Sequence, residues 1–210
     1  MNIGIDEVGR GPVAGPVTLC AFARNTSVIK DEEILTLFPK KILKDSKKLS
    51  KKTREEIFVE LEKLQKEGKI HFVSVARSAT DIDEKGISLC IKECISELLK
   101  EMGSRLSLSC DDFFVYLDGS LHAPKEYTHQ ETIIKGDEKI IEIACASIVA
   151  KVLRDAHMKE LGISYKEYGF EKHVGYGTKA HYEAIKKYGM TKFHRTTFLK
   201  KLLAVSVERK

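Results

Sequence analysis

The N-terminus of this 210-residue chain concentrates side chains that can bind a metal ion and a phosphate. Two acids, Asp6 and Glu7, end a short apolar segment, and the turn-forming sequence Gly9-Arg10-Gly11 follows at once. Successive strand residues point to opposite faces, so the two acids can converge only where the strand ends and glycine lets the backbone turn. Carboxylates beside a cation and bare backbone indicate a metal ion held next to a phosphate. For the acid pair alone, a solvated strand end is the alternative.

Two further acids follow predicted strands. The apolar segment 113–117 runs into Asp118-Gly119, and the segment 131–135 runs into Gly136-Asp137. If the strands ending at Asp6 and Asp118 are neighbours, their tips lie within about 5 Å of each other. Two ions about 4 Å apart would there activate a water and stabilise the leaving oxygen of a phosphodiester. Taken singly, Asp118 also fits a turn and Asp137 the start of a helix.

Three other motifs suit a nucleic-acid substrate. Lys47 and Lys48 can contact phosphates, or they are simply a lysine-rich approach to a helix. Tyr176 stands between two glycines, where its ring is free to stack on a sugar or base, unless the segment is only a flexible loop. His194-Arg195 fits either a phosphate contact or a cap of the terminal helix, and we favour the cap.

Composition excludes several classes of protein. The net charge is +5, with basic residues clustered between 40 and 54 and at the C-terminus, which suits a polyanionic partner or a solvated surface. An odd set of five cysteines without a Cys-x-x-Cys pair indicates reduced packing residues of a cytoplasmic protein. The scattered histidines argue against zinc, and we expect neither a secretory signal nor a membrane span.

Hydrophobic periodicity predicts the elements that position these residues. Strands are predicted at 3–6 and 17–23 as a hairpin, then at 70–76, 113–117 and 131–135. Helices are predicted from a capping box at Thr53 and Glu56 to Gly68, from Ile87 to a C-terminal cap at Gly103, over 140–158, and over 179–188 between Thr178 and Gly189. This order predicts an α/β domain with a mixed sheet, helices on its faces and a C-terminal helical appendage.

The motifs in this order resemble those of ribonuclease HII. The resemblance extends from Asp6 to about Phe198 and rests on the following strings: Gly-Ile-Asp-Glu-Val-Gly-Arg-Gly-Pro, Asp-Ser-Lys-Lys-Leu-Ser, Leu-Asp-Gly, Lys-Gly-Asp, Ala-Ser-Ile-Val-Ala-Lys-Val-Leu-Arg-Asp, Gly-Tyr-Gly-Thr and His-Arg. It implies a ribonuclease H-like mixed five-stranded sheet flanked by helices, a catalytic domain over 1–163 and a helical segment over 164–210 that contributes to substrate binding. It also implies a monomeric cytoplasmic endonuclease that cuts the RNA strand of RNA/DNA hybrids. Single ribonucleotides in duplex DNA would be cut on their 5′ side, leaving 3′-hydroxyl and 5′-phosphate ends.

The resemblance also implies roles for individual residues. Its four acidic positions, which would bind Mg²⁺ or Mn²⁺, two ions with substrate present, fall on Asp6, Glu7, Asp118 and Asp137. The element that senses the ribose 2′-hydroxyl and its phosphates falls on Gly9, Arg10 and Gly11, the junction-stacking aromatic on Tyr176, and backbone-phosphate contacts on Lys47 and Lys48. A further family acid falls on Asp155, whose place on a predicted buried helical stripe makes it a supporting or structural group.

One position departs from the family pattern. Members often carry a lysine before Gly-Tyr-Gly, where this chain has Val174, so one phosphate contact is expected to be absent or supplied by Lys172 or Lys179. Gly-Arg-Gly, rather than Gly-Lys-Gly, favours type HII over type HIII. Two rival interpretations are a nucleic-acid-binding module without cleavage and a nucleotide-binding α/β enzyme. The clustered acids disfavour the first, and the glycine spacing disfavours the second.

Overall fold

A computed structural model gives the structure of residues 1–39, 43 and 49–200. The described residues form two compact units, one comprising residues 1–8, 18–39, 43, 49–75 and 91–152 and the other comprising residues 9–17, 76–90 and 153–200. Their strands are β1 (Asn2–Val8), β2 (Val17–Arg24), β3 (Ile70–Arg77), β4 (Phe114–Asp118) and β5 (Gln130–Ile133). Their helices are α1 (Asp31–Leu35), α2 (Lys51–Lys66), α3 (Ala79–Lys85), α4 (Ile87–Leu106), α5 (Ile141–Ser164), α6 (Phe170–His173) and α7 (Lys179–Tyr188).

The five strands form one mixed sheet in the order β3-β2-β1-β4-β5. β1 and β2 pair antiparallel, which confirms the predicted hairpin, whereas β1, β4 and β5 run parallel to one another. Every residue of β2 is buried, as expected of a strand inside a sheet with both faces covered. The predicted fold class, a mixed five-stranded sheet with flanking helices, is confirmed.

Several predicted helix ends differ from those in the structure. α2 begins one turn earlier than the Thr53–Glu56 capping box implies, because the Ser50 side chain accepts a hydrogen bond from the Thr53 amide and forms the cap. α4 continues through Gly103 to Leu106, and α5 continues to Ser164 rather than Met158. α7 matches its prediction, with Thr178 accepting from the His181 amide at its start and Gly189 at its end.

Close backbone packing joins β1 to the start of α5. A Cβ added at Gly4 would collide with the backbone of Glu142 and Ile143, so only glycine fits at this point of β1. Gly4 also pairs with Tyr116 of β4 and Phe22 of β2 in the sheet. At Gly4, the strand that carries Asp6 is thereby held against α5 by direct main-chain contact.

The second unit has a hydrophobic core of its own. Its buried members are Val13, Ala14, Met158, Leu161, Tyr168, Phe170, Ala184, Ile185 and Leu199. The carboxylate of Asp83 in α3 accepts hydrogen bonds from the amides and hydroxyls of Thr196 and Thr197, which ties the end of the described chain to α3.

Two further features concern the described helices and the cysteines. No described helix has the length and apolar character needed to cross a membrane. The five cysteines are all free thiols, and all except the half-buried Cys110 are buried. This agrees with their prediction as reduced packing residues.

Candidate active site

Three of the predicted acids come together in the first unit at one end of the parallel strands. Ile5 of β1 pairs with Leu117 of β4, so Asp6 and Asp118 are the next residues along two neighbouring strands. A cavity of about 340 Å³ opens beside them. Its lining consists of Asp6, Glu7, Val8, Arg54, Asp118, Ser147, Ile148 and Lys151. The predicted convergence of Asp6, Glu7 and Asp118 therefore has a structural basis in the β1–β4 pairing.

The path of the backbone at the acid pair differs from the sequence expectation. β1 does not end at Asp6 but continues to Val8, where it pairs with Thr18 of β2. Asp6 is 5% exposed and Glu7 is half-buried, and the Glu7 amide donates to Asp6 Oδ1 over 2.7 Å. Both acids still line the same cavity, although no turn separates them.

The environment of Asp6 favours its protonated form when no cation is bound. Burial is the main cause, and the charges of Asp118 and Glu7 add to it, raising the pKa of Asp6 to about 7. Hydrogen bonds from the Ser147 hydroxyl and the Glu7 amide act in the opposite direction and lower this pKa. A divalent cation among these carboxylates would relieve both the burial cost and the repulsion.

Asp137 reaches the same edge of the sheet by a different route. It is fully buried within a short 3₁₀ helix, Gly136–Glu138, which follows β5 directly. The preceding residue, Lys135, is left-handed with a φ of 55°, and the Gly136 amide donates to Asp118 Oδ1 over 2.6 Å. Asp137 is therefore attached to the carboxylate of Asp118 through its neighbour. Contrary to the alternative interpretation, it does not begin the following helix, because α5 begins at Ile141.

The donor set fits a hard cation such as magnesium. Among the residues that the structure describes, no three His, Cys, Asp or Glu side chains form a ready-made metal cage. Magnesium does not require one, because it keeps several waters and takes only a few carboxylates directly. The raised pKa of Asp6 next to two further acids is the observation that favours a cation at this point.

Sequence reasoning missed three polar residues of this cavity. Ser147 and Lys151 lie one turn apart on α5, and Arg54 belongs to α2. A hydroxyl and a lysine interrupt an otherwise apolar helical segment, and that interruption is the signal that could have identified Ser147 and Lys151. Arg54 gave no comparable signal, since it stands among many basic residues.

Replacing Ser147 tests its influence on Asp6. We expect Ser147→Ala to raise the pKa of Asp6 further, because the hydroxyl bond that favours the carboxylate is lost. Magnesium affinity near pH 7 should fall about fivefold, the equivalent of one ordinary hydrogen bond, and recover as the pH rises. Calorimetric titration with Mg²⁺ from pH 6 to 9 measures this. Ser104→Ala, at an exposed position of α4, is the matched control; equal affinities for both variants at all pH values would contradict the role.

The second unit brings together the residues predicted to recognise the substrate. Gly9 has a φ of +87°, and a Cβ there would collide with the side chain of Arg154, so glycine is required. Arg10 and Gly11 are exposed. A Cβ at Gly11 would lie 4.0 Å from Cε1 of Tyr176, whose side chain is 48% exposed. A half-exposed aromatic ring therefore lies beside the bare backbone of Gly11, which follows the exposed Arg10.

The remaining predicted residues divide into three cases. Lys47 and Lys48 lie outside the described residues. Asp155 is half-buried on α5, in the second unit. Val174 has a φ of 43°, a conformation that is costly for a β-branched residue and persists only where its surroundings impose it.

The predicted terminal helix that His194-Arg195 would cap falls outside the described residues, so its capping stays a prediction. Both side chains are buried, Arg195 completely, so neither lies at a solvated helix end. Arg195 makes no side-chain cap of the following 3₁₀ helix, Thr196–Phe198. Its guanidinium instead binds backbone carbonyls of residues 9–15.

Comparison with known proteins identifies the same family by sequence and by structure. Residues 3–201 match the family described as Ribonuclease HII. A Ribonuclease HII of Helicobacter pylori strain G27 is 42% identical over 200 residues, which cover 94% of this chain and 91% of that protein. The RNase HII in the PCNA complex from Archaeoglobus fulgidus has a TM-score of 0.71 at 26% identity, covering 95% of this chain and 94% of that one. Bst-RNase HIII in complex with Mn²⁺ shares the fold at 17% identity, with a TM-score of 0.71 over 100% of this chain and 70% of that one.

Proposed function

Because the chain belongs to the ribonuclease HII family, and so is a metal-dependent ribonuclease H acting on RNA/DNA hybrids, we propose that it also cuts single ribonucleotides embedded in duplex DNA. The cut would fall on the 5′ side of the ribonucleotide and leave 3′-hydroxyl and 5′-phosphate ends. The observation that supports this finer specificity is the exposed Tyr176 ring beside the bare backbone of Gly11. Such a surface can contact one nucleotide at its sugar.

We propose that Asp6, Glu7, Asp118 and Asp137 form the catalytic centre and hold Mg²⁺ or Mn²⁺, two ions with substrate bound. Ions in such a site supply a nucleophile at neutral pH and neutralise charge on the leaving oxygen. Asp6 must release its proton to act as a ligand, and the Ser147 hydroxyl makes that release easier. Arg54 and Lys151 add positive charge to the same cavity, where it can attract the scissile phosphate.

Recognition of the ribose is assigned in this proposal to the second unit. The exposed Gly11 leaves its backbone amide accessible to the sugar, and the exposed Arg10 supplies a cation for the adjoining phosphates. Tyr176 would stack at the junction where RNA gives way to DNA. The 2′-hydroxyl is the local difference that such an element can detect, since it is both a donor and an acceptor.

We propose that the protein acts as a monomer in the cytoplasm, where its five free cysteines remain reduced. Residues 164–210 would contribute to substrate binding through Tyr176, and Lys47 and Lys48 would contact backbone phosphates. A nucleic-acid-binding module without cleavage is the alternative, and the buried acid cluster around Asp6 disfavours it.

The test of the proposed function is cleavage of a DNA duplex that carries one ribonucleotide. We expect cutting with Mg²⁺ or Mn²⁺ and none with a chelator, and mass spectrometry of the fragments should identify 3′-hydroxyl and 5′-phosphate ends. Binding without cutting in either metal would support the alternative. Cutting of long hybrids alone would restrict the protein to the general ribonuclease H activity.

Removing the Tyr176 ring should separate substrate recognition from metal binding. We expect Tyr176→Ala to lower kcat/KM on the single-ribonucleotide duplex about 10- to 100-fold, because the stacking of one base or sugar is lost. Magnesium affinity should not change. Tyr176→Phe keeps the ring and is the matched control, expected to retain most of the activity. Wild-type cleavage by Tyr176→Ala would show that the ring has no role at the junction.

A further inference from the structure

Arg195 is a buried cation that binds backbone carbonyls of the predicted ribose-recognition turn. Its Nη2 donates to the Gly9 carbonyl over 2.6 Å, its Nη1 to the Arg10 carbonyl over 3.0 Å, and its Nε to the Gly15 carbonyl over 3.0 Å. The side chain has no solvent exposure. Burial lowers the pKa of this guanidinium to about 10, so it remains charged at neutral pH. A planar fork with several fixed donors can hold three carbonyls in one geometry, which a lysine cannot.

The neighbouring residue, His194, begins a chain of hydrogen bonds that ends at Tyr176. The Thr191 amide can only donate, and it donates to His194 Nδ1 over 2.9 Å, so the His194 proton must lie on Nε2. That Nε2–H faces His181 Nε2 at 3.1 Å, which must therefore accept. His181 is then left with its proton on Nδ1, which donates to the Tyr176 carbonyl over 2.9 Å.

This chain requires both histidines to be neutral. An added proton on His181 Nε2 would face the Nε2–H of His194, and an added proton on His194 Nδ1 would face the amide N–H of Thr191. Burial is the main cause that lowers the pKa of His181, to about 4, and it lowers that of His194 as well. His173 stacks on His181 with ring centroids 4.3 Å apart, and its charge would disfavour protonation of both. Phe170 packs edge-on against His181 and completes an aromatic enclosure.

The main chain joins the two substrate-binding segments as well. The Arg195 amide donates to the Val13 carbonyl over 2.8 Å, and the Val13 amide donates to the Gly175 carbonyl over 2.9 Å. Ala14 and His194 form an isolated antiparallel bridge. Residues 9–15 therefore lie between the His194-Arg195 pair and the residue that precedes Tyr176.

We propose that His194 and Arg195 are positioning residues that fix the Gly9–Gly11 turn and Tyr176 as one rigid surface for recognising the ribonucleotide. Arg195 sets the turn through its carbonyls, and His194 sets the Tyr176 backbone through His181. Neither side chain contacts substrate, because both are buried. This inference rests on the proposed function of the turn and of Tyr176.

The first experiment compares Arg195→Lys with Arg105→Lys, whose arginine is exposed on α4 and pairs with Glu101. We expect Arg195→Lys to lower kcat/KM on the single-ribonucleotide duplex at least tenfold, mainly through KM, with unchanged magnesium affinity. The control should behave as wild type in both assays. Wild-type KM and kcat in a folded Arg195→Lys would overturn the proposal for Arg195.

The second experiment tests the histidine chain by conservative rescue. Glutamine places an amide donor near the position of Nε2, so His194→Gln should retain most of the activity that His194→Phe loses. His157→Gln, at an exposed position, is the control. Glutamine keeps the hydrogen-bond donor, whereas phenylalanine keeps the ring without it. Equal KM values for His194→Gln and His194→Phe would therefore overturn a hydrogen-bonding role.

The third measurement needs no variant and decides the case if the variants fail to fold. Long-range ¹H–¹⁵N spectra of the wild-type protein give the tautomer of each histidine. The proposal requires His181 to be the Nδ1–H form and His194 the Nε2–H form at pH 7, and any other pair of tautomers overturns it. If instead Tyr176→Ala cleaves the single-ribonucleotide duplex normally while these tautomers are found, the proposed function of Tyr176 fails and the anchoring geometry stands.

Discussion

Asp118→Asn is expected to reduce cleavage about 10³-fold while leaving the fold intact. Asp118 stands at the end of β4, beside Asp6 on the neighbouring strand, so it is central to the proposed cation site. The substitution removes one negative charge but keeps an oxygen. Asparagine Oδ1 can still accept the hydrogen bond from the Gly136 amide, so the segment that carries Asp137 should keep its position.

The measurement is cleavage of an RNA/DNA hybrid and of the single-ribonucleotide duplex, with Mg²⁺ titrated over a wide range. Asp111→Asn is the matched control, because Asp111 is an exposed acid in the 3₁₀ helix that precedes β4. Thermal unfolding of both variants confirms that they are folded. An Asp118→Asn protein that cleaves both substrates at the wild-type rate would show that the metal site has been misplaced.

Asp6→Asn is expected to stabilise the metal-free protein by up to about 4 kcal/mol at pH 8, the free energy that corresponds to an Asp6 pKa of about 7 against 3.8. The pKa of Asp6 is about 7 in the folded state against an ordinary value of 3.8, so the folded state retains a proton that the unfolded state releases between these pH values. Wild-type stability therefore falls as the pH rises from about 4 to about 7, and the loss is complete above pH 7. Asparagine does not ionise, so the free energy of unfolding of the variant does not fall over this pH range.

Urea unfolding with chelator at pH 4, 6 and 8 measures the difference in the free energy of unfolding. The advantage of Asp6→Asn should be small at pH 4 and largest at pH 8. Adding Mg²⁺ at pH 8 should stabilise the wild type more than the variant, because the cation binds the carboxylate that burial destabilises. If the difference in the free energy of unfolding between Asp6→Asn and the wild type did not vary with pH, burial would not raise the pKa of Asp6.

Local sequence patterns predicted the strands and most helices, but not the pairing that assembles the site. The apolar segments that end at Asp6 and Asp118 are separated by more than a hundred residues, and their proximity depends on β4 lying beside β1. No local pattern encodes that adjacency. The resemblance to a known family supplied it, and the parallel register of Ile5 with Leu117 provides its physical basis.

Errors at helix ends have a common origin in competing local signals. Thr53 and Glu56 form a capping-box pattern, yet Ser50 also offers a hydroxyl and gains an additional turn of helix. Gly103 looked like a C-terminal cap, but tertiary packing of α4 outweighs the cost of one glycine in its interior, which is about 1 kcal/mol. Helix propensity alone does not decide between these alternative helix ends, because tertiary packing also determines where a helix begins and ends.

The histidine and arginine side chains of the second unit were the hardest to interpret from sequence. A basic pair near a C-terminus is usually solvated, whereas His194 and Arg195 are buried. Their partners, the carbonyls of Gly9, Arg10 and Gly15, are main-chain atoms that carry no side-chain signature. Only the folded chain shows what these side chains bind.

The contact between Gly4 and the start of α5 fixes the distance between the strand that carries Asp6 and the helix that carries Ser147. Since backbone touches backbone there, no side-chain rearrangement can absorb a change in the spacing between β1 and the helix that carries Ser147. A single methyl group at position 4, two residues before Asp6, would push the helix away from β1 and lengthen the hydrogen bond from Ser147 to Asp6. The acidity of the site therefore depends on an interatomic gap in the core, and an alteration there would displace the pH profile as well as lower the stability of the fold.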